Sequence, residues 1–440
     1  MEASKATGAL STSTGRSHAT TPERAPLGAP PIRPGTARFL TFAFLVVLLL
    51  PAGWQVTTDN GVSSLVNDFP RDFSSLGFDL AKQRLEKRFD TRSAFAEAVR
   101  LPYRTFVLNA LEQPSGNTKL GSDGFLFHGD EVKYVTGDGI LSEHLAARIA
   151  AARDDRKDLL EASARRLMCL SEPSAASPPY VGAERAVRTI ARQIRARGIH
   201  LLVVPIPGKV AIYPEYCTST YPASAGPARN RDFLRWSANL QRDGIDVVDL
   251  YQPLWEAKEQ SSELLYLKVD SHWAPAGIGV AADVIAARAN TFVRPAPSRH
   301  FPMERKTITY RGDQIHLLGV WHSFANFPTD TITETQITHG TGDEIIGDKA
   351  PVLLLGDSFA MVFQDHGGPG CGAGLAAQLM RRLGRGVQTA ASQGITPAAE
   401  LERLRDRPEY LKHKKLVIWT FIDRMLGNPK AWEEVELSSR

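Results

Sequence analysis

Three side-chain types in this chain could together perform acyl chemistry. Val352 to Phe359 reads VLLLGDSF, a short apolar run that ends abruptly in Gly356-Asp357-Ser358, and upstream lies Asp270-Ser271-His272-Trp273. A serine hydroxyl is a poor nucleophile until a base takes its proton as it attacks, and a positioned imidazole is the usual base. The imidazole in turn needs its other nitrogen held by a carboxylate, which fixes the tautomer and stabilises the imidazolium. Ser358, His272 and Asp270 supply this set. In an extended segment Asp270 and His272 fall on one side, because side chains alternate with period two. Backbone N–H groups at Ser358 and the following turn are the candidate oxyanion donors. Gly356 and Asp357 are read as shaping that turn.

Each motif also has a simpler reading. Gly-Asp-Ser after a strand can be a capped turn, and Asp-x-His can be a local helix cap. Trp273 fits either a core wedge or a sugar-stacking platform. What favours chemistry is that both motifs fall at predicted strand ends of one α/β frame, where such folds place their sites.

Other chemistries find little support. The net charge of +4 is small for 440 residues and no basic stripe carries interleaved aromatics, so nucleic acid is not an expected partner. Cys169, Cys217 and Cys371 show no CxxC or Cys/His spacing, so neither a metal nor another cofactor is expected. An odd count permits at most one internal disulfide. Gly208-Lys209 lacks the Gly-rich run of a phosphate loop. His316, His322 and His366 have no catalytic context and read as structural or surface residues.

The elements that must position the candidate set alternate in type. Ala183 to Arg197 is an amphipathic helix closed by Gly198, and His200 to Pro205 a strand. Asp232 to Arg242 reads as helix, Ile245 to Leu250 and Glu263 to Lys268 as strands, and Ala276 to Ala289 as helix. His300 to Lys349 is the least regular part and reads as a small β excursion. Pro351 to Leu355, the helix Gly374 to Arg382, a strand near Val387, a helix from Ala398 and the strand Leu416 to Phe421 complete the rhythm. Such alternation predicts a mostly parallel sheet flanked by helices.

Residues 1–36 are rich in Ser, Thr, Ala, Pro and Gly and are expected to be a disordered cytoplasmic tail. Phe39 to Val56 is uncharged and about long enough to span a bilayer, which predicts one transmembrane signal anchor over 37–57. Arg33 and Arg38 precede it, and the positive-inside bias then puts 58–440 in the periplasm as one catalytic domain. Cleavage as a signal peptide is the rival reading of that run. Helices are expected over Phe78 to Phe89 and Leu141 to Leu170, with a loop over Ser171 to Pro179.

The chain resembles the alginate O-acetyltransferase proteins of the AlgJ and AlgX type, a branch of the SGNH hydrolase-like superfamily. The resemblance rests on Leu120-Gly121-Ser122-Asp123-Gly124-Phe125-Leu126-Phe127, Pro205-Ile206-Pro207-Gly208-Lys209, Asp270-Ser271-His272-Trp273, Arg311-Gly312-Asp313 and Gly356-Asp357-Ser358-Phe359. It implies acetyl transfer onto hydroxyls of a secreted polysaccharide, with Ser358 as nucleophile, His272 as base and Asp270 as its orienting acid. A membrane-bound O-acyltransferase at the inner membrane is the implied acetyl donor system. Ordinary members of the superfamily use an oxyanion Asn that has no clear counterpart here; Gly394, in Ser392-Gln393-Gly394, is the candidate for that role. A polysaccharide acetylesterase with the same triad and a non-catalytic glycan-binding subunit are the alternatives.

Overall fold

A computed structural model describes residues 102–108, 117–137, 139–141, 182–293, 300–310, 312–318 and 327–437. These belong to one unit, Val99–Arg440. The tail at 1–36, the anchor at 37–57, the helix at 78–89, nearly all of 141–170 and the loop at 171–179 lie outside the described residues.

Continuous apolar runs need burial on both faces, and two of them form the centre of a sheet. Strands β1 (Thr118–Leu120) and β2 (Leu126–His128) make a hairpin. Strands β3 (His200–Ile206), β4 (Asp246–Val247), β7 (Val352–Gly356), β9 (Val387–Ala391) and β10 (Leu416–Ile422) form a five-stranded sheet in the order β4-β3-β10-β7-β9. Every pairing in it is parallel. All residues of β7 and β10 are buried. The helix Ala183–Ala196 lays Ala186, Val187, Ile190 and Ile194 into the core at helical spacing. Helix Pro275–Ala289 packs against helix Leu375–Leu383.

The irregular region between these elements holds a second sheet. Strands β5 (Met303–Tyr310), β6 (Asp330–Thr338) and β8 (Cys371–Gly372) pair antiparallel in the order β5-β6-β8.

Two expectations change. Glu263 to Lys268 is not a strand. It opens a tight loop closed by a single antiparallel bridge between Tyr266 and Trp273, with Ala274 N–H donating to the Leu265 carbonyl and Leu267 N–H to the His272 carbonyl. The loop backbone is satisfied largely by distant side chains, with one bond from β2, where Leu126 N–H donates to the Lys268 carbonyl at 2.8 Å. Lys268 N–H and Val269 N–H donate to the Asp330 carboxylate, and the 267, 268 and 270 carbonyls accept from Lys209.

The second correction concerns the membrane. No helix among the described residues is long and apolar enough to cross one. The longest, Pro275–Ala289, has 15 residues, and a span needs about 20. The described residues therefore form an α/β fold with a mostly parallel sheet and contain no transmembrane helix, and the expected anchor at 37–57 lies outside them. Among the described residues no helix supports inner-membrane anchoring, the periplasmic placement derived from it or the membrane-bound donor partner.

Candidate active site

β7 carries Gly356 to the carboxyl edge of the sheet, between β10 and β9. A Cβ at Gly356 would collide with Thr420 Oγ1 on β10, so the strand can end this close to its neighbour only with glycine. Asp357 then fixes the turn from both sides. One carboxylate oxygen accepts from Phe359 N–H at 2.9 Å, and the other from Ile422 N–H at 2.9 Å, at the end of β10. Ser358 opens the one-turn helix Ser358–Met361. Phe359 N–H is engaged by Asp357, whereas Ser358 N–H has no acceptor among the described residues and is the turn's available oxyanion donor.

His272 Nε2 lies 2.8 Å from Ser358 Oγ, and His272 Nδ1 lies 2.6 Å from Asp270 Oδ1. The acid reaches its neighbour's ring through a turn instead of an extended segment: Asp270 Oδ1 also accepts His272 N–H at 2.8 Å, bending the backbone back on itself. Nδ1 facing a carboxylate carries the proton, which leaves Nε2 free to accept one from Ser358.

Burial drags the His272 imidazole toward neutrality, but the hydrogen bond and charge of Asp270, with the charges of Asp313 and Asp357, outweigh it and raise its pKa above 6.5. Burial likewise pushes Asp270 up, and the His272 bond and charge, with N–H donors from His272 and Asp313, bring it below the usual 3.8. The pair is therefore set to hold charge-separated states.

Two positioning residues carried no clear sequence signal. Asp313 donates its N–H to Asp270 Oδ2 at 2.8 Å, and its carboxylate accepts Ser271 N–H at 2.8 Å and Ser271 Oγ–H at 2.6 Å. Gly312 before it admits no side chain, because a Cβ would strike the Val269 carbonyl. Lys209 is fully buried, and its ammonium donates to the carbonyls of Leu267, Lys268 and Asp270 at 2.9, 2.9 and 2.7 Å. It also lies 5.9 and 5.4 Å from the ring centroids of Phe125 and Phe127. The tripeptide Arg311-Gly312-Asp313 and the pair Gly208-Lys209 are the only sequence traces of these two.

Trp273 is fully buried, donating its indole N–H to the Phe359 carbonyl at 3.1 Å, and has no free face for a sugar ring. Gly394 adopts φ +64° in the loop after β9, whose Ser392 N–H donates to the Gly356 carbonyl at 3.2 Å. Among the described residues no hydrogen bond joins Gly394 to Ser358 or His272. Asp270, His272 and Asp313 are close enough to hold a cation, with ligand atoms within 4.8 Å of one another. Each of their carboxylate oxygens already accepts a hydrogen bond, however, and His272 faces Asp270 with its protonated nitrogen. This donor set suits proton transfer better than metal ligation.

Residues 168–423, more than half of the chain, match the family model described as "SGNH hydrolase-like domain, acetyltransferase AlgX". The chain is 27% identical over 249 residues to the probable alginate O-acetylase AlgJ of Pseudomonas fluorescens, covering 54% of this chain and 60% of that protein. It is 26% identical over 257 residues to the protein of the same name from Pseudomonas aeruginosa, covering 54% and 62%. It thus spans about 60% of the length of these relatives. The O-acetyltransferase domain of Pseudomonas putida AlgJ superimposes with a TM-score of 0.48 at 22% identity, covering 71% of this chain and 93% of that one.

Proposed function

The chain belongs to the family of SGNH hydrolase-like acetyltransferase AlgX domains, and we propose that it moves acetyl groups onto hydroxyls of a polysaccharide through an acetyl-Ser358 intermediate. The reading rests on one observation: a serine hydroxyl 2.8 Å from an imidazole whose other nitrogen is 2.6 Å from a buried carboxylate.

In the first half-reaction Ser358 Oγ attacks the donor's acetyl carbonyl as His272 Nε2 takes the hydroxyl proton. The tetrahedral oxyanion lies against Ser358 N–H, and Asp270 stabilises the imidazolium. Collapse breaks the donor's ester bond; His272 returns the proton to the departing oxygen, leaving acetyl-Ser358. In the second half an acceptor hydroxyl gives its proton to His272 and attacks the acetyl-serine carbonyl. The sugar ester forms, and Ser358 recovers its proton. Water in place of the sugar would make the same site an acetylesterase. The relatives named probable alginate O-acetylase AlgJ support an alginate-like acceptor.

The test uses the purified protein with 4-nitrophenyl acetate as donor, with and without alginate or cello-oligosaccharides. The expected result is an acetyl increment on Ser358, and acetylated oligosaccharide formed at the expense of acetate. Retention of turnover in Ser358→Ala would overturn the mechanism. Hydrolysis that no acceptor diverts would assign an esterase.

A further inference from the structure

A second imidazole–carboxylate pair lies on the chain just past Ser358, beside Tyr310, which is near enough to Asp270 and Asp313 to feel their charges. His366 Nδ1 lies 2.8 Å from Glu334 Oε2, with the histidine side chain 37% exposed and the glutamate only 1% exposed. The other glutamate oxygen accepts from Gln336 Nε2 at 2.6 Å. Burying a carboxylate is costly unless its partners compensate, so Glu334 is placed to hold this ring. As with His272, the carboxylate keeps the proton on Nδ1 and turns the Nε2 lone pair outward, where among the described residues it has no partner.

Tyr310 and Phe363 flank the ring. Phe363 meets His366 edge-on at 5.1 Å between centroids, and Tyr310 lies 5.3 Å from Phe363 and 6.4 Å from His366. Phe363 sits at φ +61°, an uncommon conformation for an aromatic residue, pinned by Ala373 N–H and Gly374 N–H on its carbonyl. Tyr310 pairs in register with Asp330, and cross-strand partners share a face, which by alternation also carries Glu334. Asp330 is the residue that grips Lys268 N–H and Val269 N–H beside Asp270. The cluster is therefore tied to the triad loop from one side and to Ser358 through the chain from the other.

We propose that His366, backed by Glu334 and flanked by Tyr310, is an acceptor subsite, with Nε2 accepting a hydrogen bond from a hydroxyl of the incoming pyranose and Tyr310 packing against its ring. The proposal rests on the acetyl-transfer reading for what the bound sugar does next, but binding can be measured without turnover. In a Ser358→Ala background, titration calorimetry with alginate oligosaccharides and cello-oligosaccharides reads it directly. His366→Ala is expected to weaken binding of at least one probe by about tenfold, the scale of one lost hydrogen bond, and His366→Gln to recover part of it. Tyr310→Ala should weaken the same probe. Thermal melts accompany each variant, and Tyr310→Leu, which keeps apolar bulk but removes the aromatic face, serves if Tyr310→Ala does not fold. No binding of either probe by the parent, or equal binding by His366→Ala, would overturn the subsite. Failure of the catalytic reading shows separately, as 4-nitrophenyl acetate turnover that survives Ser358→Ala.

Discussion

The Lys209 ammonium donates to the backbone carbonyl of Asp270 at 2.7 Å, across 61 residues of sequence. With the Leu267 and Lys268 carbonyls it gathers three backbone acceptors onto one buried cation, so the loop presenting Asp270 and His272 is held from beneath by a charge. Burial lowers the Lys209 pKa to about 8, and the charges of Glu131, Asp270, Asp313 and Asp330 oppose the fall.

Lys209→Met keeps the length and removes the donors. It takes the donor from the buried Leu267 and Asp270 carbonyls, at roughly 1 kcal/mol or more each, while the Lys268 carbonyl keeps Leu126 N–H. A loss of about 2 kcal/mol in urea unfolding is expected, together with a lower kcat because Asp270 and His272 are no longer held. Wild-type stability and kcat in this variant would show that the cation does not organise the loop.

Asp270→Asn preserves shape but can present its amide to His272, favouring the tautomer that cannot deprotonate Ser358. Ester turnover is expected to fall on the order of 10³–10⁴-fold, as in other serine triads. Stopped-flow acylation isolates the step, and a drop below about tenfold would remove Asp270 from the role of orienting acid.

The raised pKa of His272 sets the pH profile. The base works only when neutral, so the acid limb of kcat/KM should lie above the ordinary value of 6.5. Asp313 contributes part of that rise, and Asp313→Asn should move the limb toward lower pH. A limb that stays put, or moves upward, contradicts this assignment.

Asp423, fully buried just after β10, accepts Tyr251 Oη–H at 2.6 Å. Burial raises its pKa from 3.8 to about 7. Between those values the folded protein keeps a proton that the unfolded chain has released, so this contribution is complete below 3.8 and is lost as pH rises through about 7. Asp423→Asn should be more stable relative to wild type at pH about 8 than at pH about 5. Denaturant midpoints at the two pH values check the sign; a difference that does not change with pH would contradict it.

Residue types alone made β7 legible: four consecutive apolar residues before glycine suit a strand buried on both faces, and Val352–Gly356 is one. Ser358, His272 and Asp270 were legible as a chemical set, but the way they meet was not. The stretch before His272 is a short apolar run that reads as a strand, yet N–H and carbonyl groups at its end are claimed by Asp330 and Lys209, side chains about 60 residues away that no local pattern announces. Lys209 itself read as a rejected phosphate loop because its ligands are carbonyls, which leave no trace in sequence. His366 looked like an ordinary surface histidine because Glu334, its partner, lies 32 residues earlier on a strand of otherwise polar and Thr-rich character.

Strands β5 and β6 lie between His272 and Ser358 in the chain, and β6 touches the triad loop through Asp330. The reacting atoms are fixed by the parallel sheet and by Lys209, while the strands that carry Tyr310 and Glu334 lie outside that frame. Descendants of such a chain can therefore exchange Tyr310 and Glu334 on β5 and β6, provided Asp330 keeps its hold on the loop, and leave Ser358, His272 and Asp270 in place.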